Sequence, residues 1–385
     1  MGYICVLIVL FISIYSVKWE FFNSRYVLFG IYMLLLLLIG FSYGLPDYSM
    51  YERFFYGAVN FDFRNIFGGY EITIDSEYSR DFGYTILSYL FSNFGFNFIE
   101  YRFFLYSLGM LIIFFVACKK CKNPILVIGL YVLYPYVMDA IQLRNYMLEC
   151  VLFVAFFVYS IQYNASFKRS VNWIALILLA ATFHSSALLL LCFFIFDIAL
   201  DTKLKYIVYC FICVGVLMPL YADYIQSNYM LIKLLFTNMD SSLRHYAFYA
   251  EKTVIRKHIT CYLFLISMYI YMHFLIYIQA KMHQLGMCFN RNYIFKAKRF
   301  IMYNFCFAPL YPIFSDLAIR FPRNCLLIMY MSTVLVIDNS PYRIKILLLV
   351  IASILALSMG RLDLYAPVLI DNVDLFMNNN YLFDL

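Results

Sequence analysis

Charged side chains are scarce in this sequence: Asp, Glu, Lys and Arg make up 13% of 385 residues, against 65% hydrophobic residues. There is no Pro/Gly-rich linker, no nucleotide-binding motif and no cluster of metal ligands, so we expect no separate soluble domain, no metal and no cofactor. Most of the eleven cysteines lie inside apolar runs. Cysteine behaves there as a small hydrophobic residue, and we predict no structural disulfide.

Apolar runs recur instead from one end of the chain to the other, and the mean hydropathy is +0.79. This pattern predicts an all-α, polytopic integral membrane protein, with the lipid bilayer as its solvent and residues 1–385 as a single transmembrane domain. Twelve runs are predicted to span the membrane. They cover residues 2–17, 26–43, 101–118, 124–139, 146–163, 170–184, 185–200, 206–222, 259–280, 300–315, 325–338 and 344–360.

A further apolar stretch, residues 84–98, is interrupted by serine, asparagine and glycine residues. If it crossed the membrane, the lysines at 119–122 would move outside and every later loop would invert against the positive-inside rule. We therefore predict an interfacial or re-entrant helix here.

Basic residues set the predicted orientation. With residue 1 outside, the inside loops hold sixteen of the 29 lysines and arginines, including those of a cytoplasmic loop at 281–299. Residues 44–83 and 223–258 then form two long external loops, and residues 361–385 are also outside. The net charge of +7 is mostly this orienting charge, so we predict no nucleic-acid partner.

Two acids, Glu149 and Asp197, fall inside predicted spans. Each lies near one end of its span, where we expect the carboxylate to reach water. The sequence therefore predicts no proton or ion relay at the middle of the membrane.

Polar side chains that could carry chemistry collect on the predicted outer face. They form five groups: Asp47 and Tyr48 in a Gly/Pro turn, Asp81 and Tyr84 around Gly83, Gln142 with Arg144 and Asn145, His184 after Phe183, and Arg320 with Arg323. Each group also has a plain structural interpretation, such as a helix cap for Asp47 or a helix junction for His184.

Arg144 is the most informative of these residues, because an arginine outside is disfavoured by topology and needs a local reason. Its planar guanidinium suits phosphate oxygens, which it can bind through two parallel hydrogen bonds. His184 ordinarily titrates near neutral pH and could serve as a base. External arginines and a candidate base, without a nucleotide motif, predict chemistry on a lipid-linked anionic substrate.

The order of these groups resembles the EpsG-type branch of the Wzy polysaccharide polymerases. The resemblance spans about residues 40–325, and its Arg-Asn and Phe-His-x-Ser-Ala elements are the specific ones. The matching motifs are Gly44-x-x-Asp47-Tyr48-x-x-Tyr51, Asp81 before Gly83-Tyr84, Gln142-x-Arg144-Asn145, Phe183-His184-x-Ser186-Ala187 and a late Arg320. The sequence departs from the family pattern at Leu45-Pro46 and at Phe321-Pro322-Arg323.

The resemblance implies a polymerase at the outer face of the bacterial cytoplasmic membrane, in capsule, exopolysaccharide or O-antigen synthesis. Such an enzyme transfers the growing glycan from undecaprenyl pyrophosphate to the next lipid-linked repeat unit, alongside a flippase and a chain-length regulator. The resemblance further implies that Arg144 and Arg320 hold pyrophosphates. It implies His184 as the base on the acceptor hydroxyl, with Asp47 as the competing candidate.

Two other classes stay open. A flippase or other transporter should line a central cavity with polar groups at mid-membrane depth, where these spans carry few. A membrane-bound O-acyltransferase would use a histidine on a multispan scaffold, but a neutral thioester transfer does not call for several guanidiniums.

Overall fold

The computed structural model describes residues 2–60, 81–161, 166–217, 255–284, 291–310, 315–363 and 368–382. Within these ranges the chain is helical, as predicted, and the only strand-like pairing is an antiparallel bridge between Ser42 and Asn380. The α-helices of these ranges are α1 Gly2–Ser16, α2 Arg25–Gly40, α3 Tyr48–Gly57, α4 Phe82–Asn93, α5 Phe98–Lys120, α6 Pro124–Leu133, α7 Tyr136–Ile141, α8 Leu143–Ile161, α9 Ser166–Phe183, α10 Phe193–Ala199, α11 Lys205–Leu217, α12 Ile255–Gln284, α13 Arg291–Asn304, α14 Ser315–Asn324, α15 Leu326–Ile337, α16 Tyr342–Asp363 and α17 Val368–Asn378. Short 3₁₀ helices cover Glu20–Asn23, Ala58–Asn60, Ser185–Leu190 and Phe305–Leu310.

Parts of the predicted loops lie outside the described residues: 61–80 of the first external loop, 223–254 of the second and 285–290 of the cytoplasmic loop. The last residues of the eighth predicted span, 218–222, do so as well.

Four of the described helices are long and apolar enough to cross a membrane. They cover Phe98–Lys120, Leu143–Ser160, Cys261–Gln284 and Tyr342–Arg361, and several shorter apolar helices accompany them. The chain is therefore a multi-pass membrane protein, while the count of twelve crossings stays a prediction. The stretch predicted to lie at the interface forms a separate helix, α4, and a capping box of Asn97 and Glu100 starts α5 anew.

The fourth predicted span, 124–139, is wrong as a continuous helix. α6 ends at Leu133, and Pro135, which has no N–H to donate, stands between α6 and α7. Only Gln142 separates α7 from α8. The expected loop before Arg144 is thus absent, and Arg144 lies in the first turn of α8.

The predicted span 185–200 is also interrupted, because it begins as a 3₁₀ helix and continues as the seven-residue α10. The predicted span 300–315 is displaced. Its helix, α13, already begins at Arg291 and ends at Asn304, so much of the segment predicted as a cytoplasmic loop is helical.

Contacts divide the chain into two compact units. Unit 1 contains Met1–Leu191, Pro341–Leu347 and Leu364–Leu385, and unit 2 contains Cys192–Ser340 and Leu348–Asp363. In unit 1, α8 packs against both α5 and α9. In unit 2, α12 packs against α13, α14 and α15.

The expectation that Asp197 and Glu149 reach water is wrong. Asp197 is buried in unit 2, where Arg299 Nη1 lies 2.9 Å from Oδ1 and Lys296 also forms a salt bridge with the carboxylate. Glu149 is buried in unit 1 and accepts a 2.6 Å hydrogen bond from Asn145. A buried carboxylate needs such partners. Lys296 and Arg299 of α13 therefore neutralise the buried Asp197 and are not charges of a cytoplasmic loop.

Candidate active site around Arg144

Three segments that are distant in sequence meet at Asp81 in unit 1. Asp81 occupies the N-cap position of α4 and is 5% exposed. Arg144, in the first turn of α8, donates from Nη1 to Oδ2 of Asp81 in a salt bridge. The backbone N–H of Ser185, just after α9, donates to Oδ1 at 3.2 Å. Groups that the sequence predicted separately are therefore neighbours.

Gly83 explains why the segments can meet. A Cβ at this position would lie 2.3 Å from Oγ1 and 2.7 Å from Cβ of Thr182, near the end of α9. No residue with a side chain fits that space without movement. The glycine lets the first turn of α4 lie directly against the end of α9, which brings Asp81 to the N–H of Ser185.

Aromatic rings surround the guanidinium of Arg144. Its Cζ lies 5.5 Å from the ring centroid of Tyr51 on α3, within cation–π range. The ring of Tyr84 lies 5.9 Å from that of Tyr51, and both tyrosines are buried. In such a low-dielectric setting, charge interactions are stronger than in water.

Several buried polar atoms of the described residues have no hydrogen-bond partner, and those of Arg144 and its neighbours include Nε of Arg144, the hydroxyl oxygen of Tyr84 and Oδ1 of Asn145. Buried polar atoms are normally paired. The side chain of Arg144 nevertheless keeps 19% of its surface exposed. The guanidinium is thus fixed by Asp81, retains an unpaired donor and can still be reached by a ligand.

His184 lies at the junction between α9 and the 3₁₀ helix Ser185–Leu190. Its Nδ1 accepts the backbone N–H of Ser186 at 3.3 Å and lies 2.9 Å from the hydroxyl of Ser186. Because a backbone N–H can only donate, Nδ1 is an acceptor, and the neutral imidazole carries its proton on Nε2. Nδ1 is the nitrogen that can take a proton, and Ser186 is next to it.

Asp47 occupies the N-cap position of α3, as predicted, although its side chain makes no capping hydrogen bond. The next residue is Tyr48, and the centroid of its ring lies 4.8 Å from Cζ of Arg102 on α5. Burial raises the pKa of the Tyr48 phenol above its ordinary value, so the hydroxyl stays protonated.

Arg102 was overlooked in the sequence. It is buried and donates to both the carbonyl and the hydroxyl oxygen of Ser42. The available signal was its position in the first turns of a predicted span, where a guanidinium must find an internal partner. Its role is to fix the chain just before the turn that carries Asp47.

Gln142 and Asn145 flank Arg144 at the start of α8. The backbone of Gln142 links the two helices, since its N–H donates to Met138 and its carbonyl accepts from Tyr146. Asn145 points its amide nitrogen at Glu149. The candidate residues Arg320 and Arg323 lie on α14 in unit 2, where Arg323 is buried and Arg320 is partly exposed.

The described residues contain no group of three or more His, Cys, Asp or Glu side chains suited to a metal ion. The model of the EpsG family matches residues 25–365 of the chain. The protein belongs to the EpsG family. This confirms the resemblance found in the motifs, and it makes the chain a membrane protein of the polysaccharide-polymerase type. Asp81, Arg144, His184 and Arg320 all lie inside the matched part of this EpsG protein.

No curated protein and no solved structure matches this EpsG-family chain.

Proposed function

We propose that this EpsG-family protein polymerises lipid-linked oligosaccharide repeat units at the outer face of the bacterial cytoplasmic membrane. It would transfer the growing glycan from undecaprenyl pyrophosphate to the next unit, in capsule, exopolysaccharide or O-antigen synthesis. The observation that carries the proposal is Arg144, a guanidinium fixed by Asp81 among buried tyrosines, with an unpaired Nε. A pyrophosphate leaving group needs such a cation.

Asp81 serves as the counter-ion of Arg144 before substrate binds. The incoming pyrophosphate carries more negative charge than one carboxylate, so it competes with Asp81 for the guanidinium. When the bond from the anomeric carbon to the pyrophosphate oxygen breaks, negative charge grows on that oxygen. Arg144 then stabilises the departing lipid pyrophosphate more strongly than the bound donor, which is the condition for catalysis.

His184 receives the proton of the attacking hydroxyl in this scheme. The acceptor hydroxyl gives its proton to Ser186 Oγ while Ser186 gives its own to Nδ1 of His184, 2.9 Å away. The freed oxygen bonds to the anomeric carbon as the pyrophosphate leaves. Asp47 is the alternative base, because it lies at the start of the helix that places Tyr51 over Arg144.

The remaining candidate residues have supporting roles. The hydroxyl of Tyr84 and Oδ1 of Asn145 are buried and unpaired among the described residues. The Tyr84 hydroxyl could donate to a phosphate oxygen or a sugar hydroxyl, whereas Oδ1 of Asn145 can only accept from a sugar hydroxyl. Arg320 of unit 2, which is partly exposed, is proposed to hold the pyrophosphate of the second substrate, whereas the sequence-predicted Arg323 is buried and is not proposed to contact it directly. A flippase and a chain-length regulator of the same pathway are the expected partners.

The class of protein is tested by deleting the gene. Cells without a polymerase should still make and flip the repeat unit, and so accumulate single lipid-linked units outside. Loss of a flippase would trap these units inside, and loss of an acyltransferase would leave long polymer that lacks a substituent. Either of these two results would contradict the proposal.

The site is tested with Arg144→Lys and the matched control Arg53→Lys, which makes the same change at an exposed arginine of α3. A lysine keeps the charge but cannot form the two-pronged contact with a pyrophosphate. We expect the Arg144 variant to lose most polymer at normal protein abundance, and the control to keep it. Polymer of normal length and amount from Arg144→Lys would overturn the assignment.

A further inference from the structure

We propose that Asn380 is a positioning residue for the Arg144 site, acting through the start of α3. This inference rests on the proposed function. Asn380 belongs to the bridge segment, residues 379–381, which pairs with residues 41–43. The N–H of Tyr43 donates to the carbonyl of Asn379 and the N–H of Tyr381 to that of Phe41, each at 3.2 Å.

The side chain of Asn380 strengthens this pairing. It is fully buried, and its Nδ2 donates at 2.9 Å to the carbonyl of Leu38, one of the last four carbonyls of α2. These carbonyls have no partner within the helix, so the amide satisfies one of them. The rings of Tyr43 and Tyr381 also lie 4.5 Å apart.

The bridge segment is itself firmly held in unit 1. It directly follows α17, whose Phe376 is fully buried with its ring 5.5 Å from that of Tyr136. The hydroxyl of Tyr3 donates to Asp374 on the same helix at 3.0 Å. A segment anchored in this way can hold another in place.

Residues 41–43 are thus fixed from two sides, by the bridge segment and by Arg102, which binds Ser42. Gly44 comes next, with a left-handed φ of 68° that turns the chain toward α3. α3 then places Tyr51 over Arg144. Each step from Asn380 to Arg144 is a direct contact or a short run of chain. A shift at Ser42 therefore moves α3 and the Tyr51 ring that lies over Arg144.

The bridge segment lies beyond residue 365, where the family match ends. The inference therefore concerns a feature of this chain that the family match does not include.

The first test is Asn380→Ala, assayed with purified protein and lipid-linked units extracted from cells that lack the protein. Misplacement of a reacting group by about 1 Å lowers rates on the order of 100-fold. Loosening of α3 should therefore lower kcat by roughly tenfold or more. KM should change much less, because Arg144 and Asp81 are still present.

The second test holds the bridge segment against residues 41–43 with a disulfide in place of the Asn380 side chain. Ser42 and Asn380 face each other as a non-hydrogen-bonded antiparallel pair, in which Cα atoms lie about 4.5 Å apart. That separation suits a disulfide. The double variant Ser42→Cys/Asn380→Cys, oxidised with copper phenanthroline, should recover activity lost in Asn380→Ala and lose it again in dithiothreitol. Each single cysteine variant serves as the control and should show no such recovery.

Wild-type kinetics in Asn380→Ala would overturn the positioning role while leaving the proposed function intact. A cross-linked double variant that is well folded but no more active than its reduced form would overturn it as well. By contrast, the proposed function itself would be defeated by a deletion strain that traps lipid-linked units inside or that makes long polymer lacking a substituent. The two failures are thus distinguishable.

Discussion

Arg144 and Asp81 are 63 residues apart in sequence, yet each is the charge partner of the other. Asp81 is nearly enclosed, whereas Arg144 keeps part of its side chain exposed. The acid thus anchors the arginine from the buried side and leaves the accessible side for a ligand. An arginine held in this way loses little conformational freedom when it binds an anion, which favours affinity.

The pair formed by His184 and Ser186 yields a prediction at the same scale. Proton transfer by a well-placed base typically contributes about 10²- to 10⁴-fold in rate. We expect His184→Ala to give single lipid-linked units with little polymer, and Ser186→Ala to give an intermediate loss, in a gel assay of extracted glycan. Ser185→Ala is the control, because its contact with Asp81 uses only the backbone.

Full-length polymer from His184→Ala would make this histidine a junction residue. Asp47 would then become the leading candidate for the base.

Close packing of helices decides which side chains meet in the site. At Gly83, a methyl group would overlap Thr182, so Gly83→Ala must push α4 away from α9. Overpacking of this kind destabilises by about 1–3 kcal/mol. We expect a lower thermal midpoint in detergent and a loss of polymer, because Asp81 is drawn away from the N–H of Ser185.

Gly57→Ala is the matched control for this change. A Cβ at Gly57 would have no atom within 4 Å, so this variant should melt and polymerise as the wild type does. Equal behaviour of the two alanine variants would contradict the role given to Gly83.

The sequence predicted several helices closely, since α1 and α16 differ from the predicted spans by no more than about three residues. Long apolar runs determine such helices almost alone. The break at Pro135 was missed because apolar composition continues across it. The pairing of Asp197 with Lys296 was missed for a different reason. The positive-inside rule predicts on which side of the membrane a basic residue lies, but not which acid it pairs with.

In the candidate site, too, the sequence predicted individual residues but not the contacts between them. Asp81, Tyr84, Arg144 and His184 could be selected from residue type and predicted sidedness. That Asp81 contacts both Arg144 and Ser185 depends on how α4, α8 and α9 pack, which no local pattern encodes. Whether Arg320 acts with them stays a prediction.

The orientation of the whole molecule in the membrane can be measured directly. The predicted topology places Arg53 outside and Lys203 inside, and both side chains are exposed. In a background without reactive cysteines, an impermeant maleimide should label Arg53→Cys in intact cells. Lys203→Cys should react only after the cells are opened. The reverse pattern would invert the topology and remove the basis for chemistry at the outer face.

Unit 1 is discontinuous in the chain, because the segments Pro341–Leu347 and Leu364–Leu385 belong to it and follow most of unit 2. A ribosome releases residues in order, so α2 and the turn after it are made long before the residues that pair with them at 379–381. Until those residues emerge, the carbonyl of Leu38 lacks its contact with Asn380 and Ser42 lacks its bridge partner. The placement of α3 proposed above therefore requires the intervening unit to be synthesised first, because residues 379–381 emerge after it.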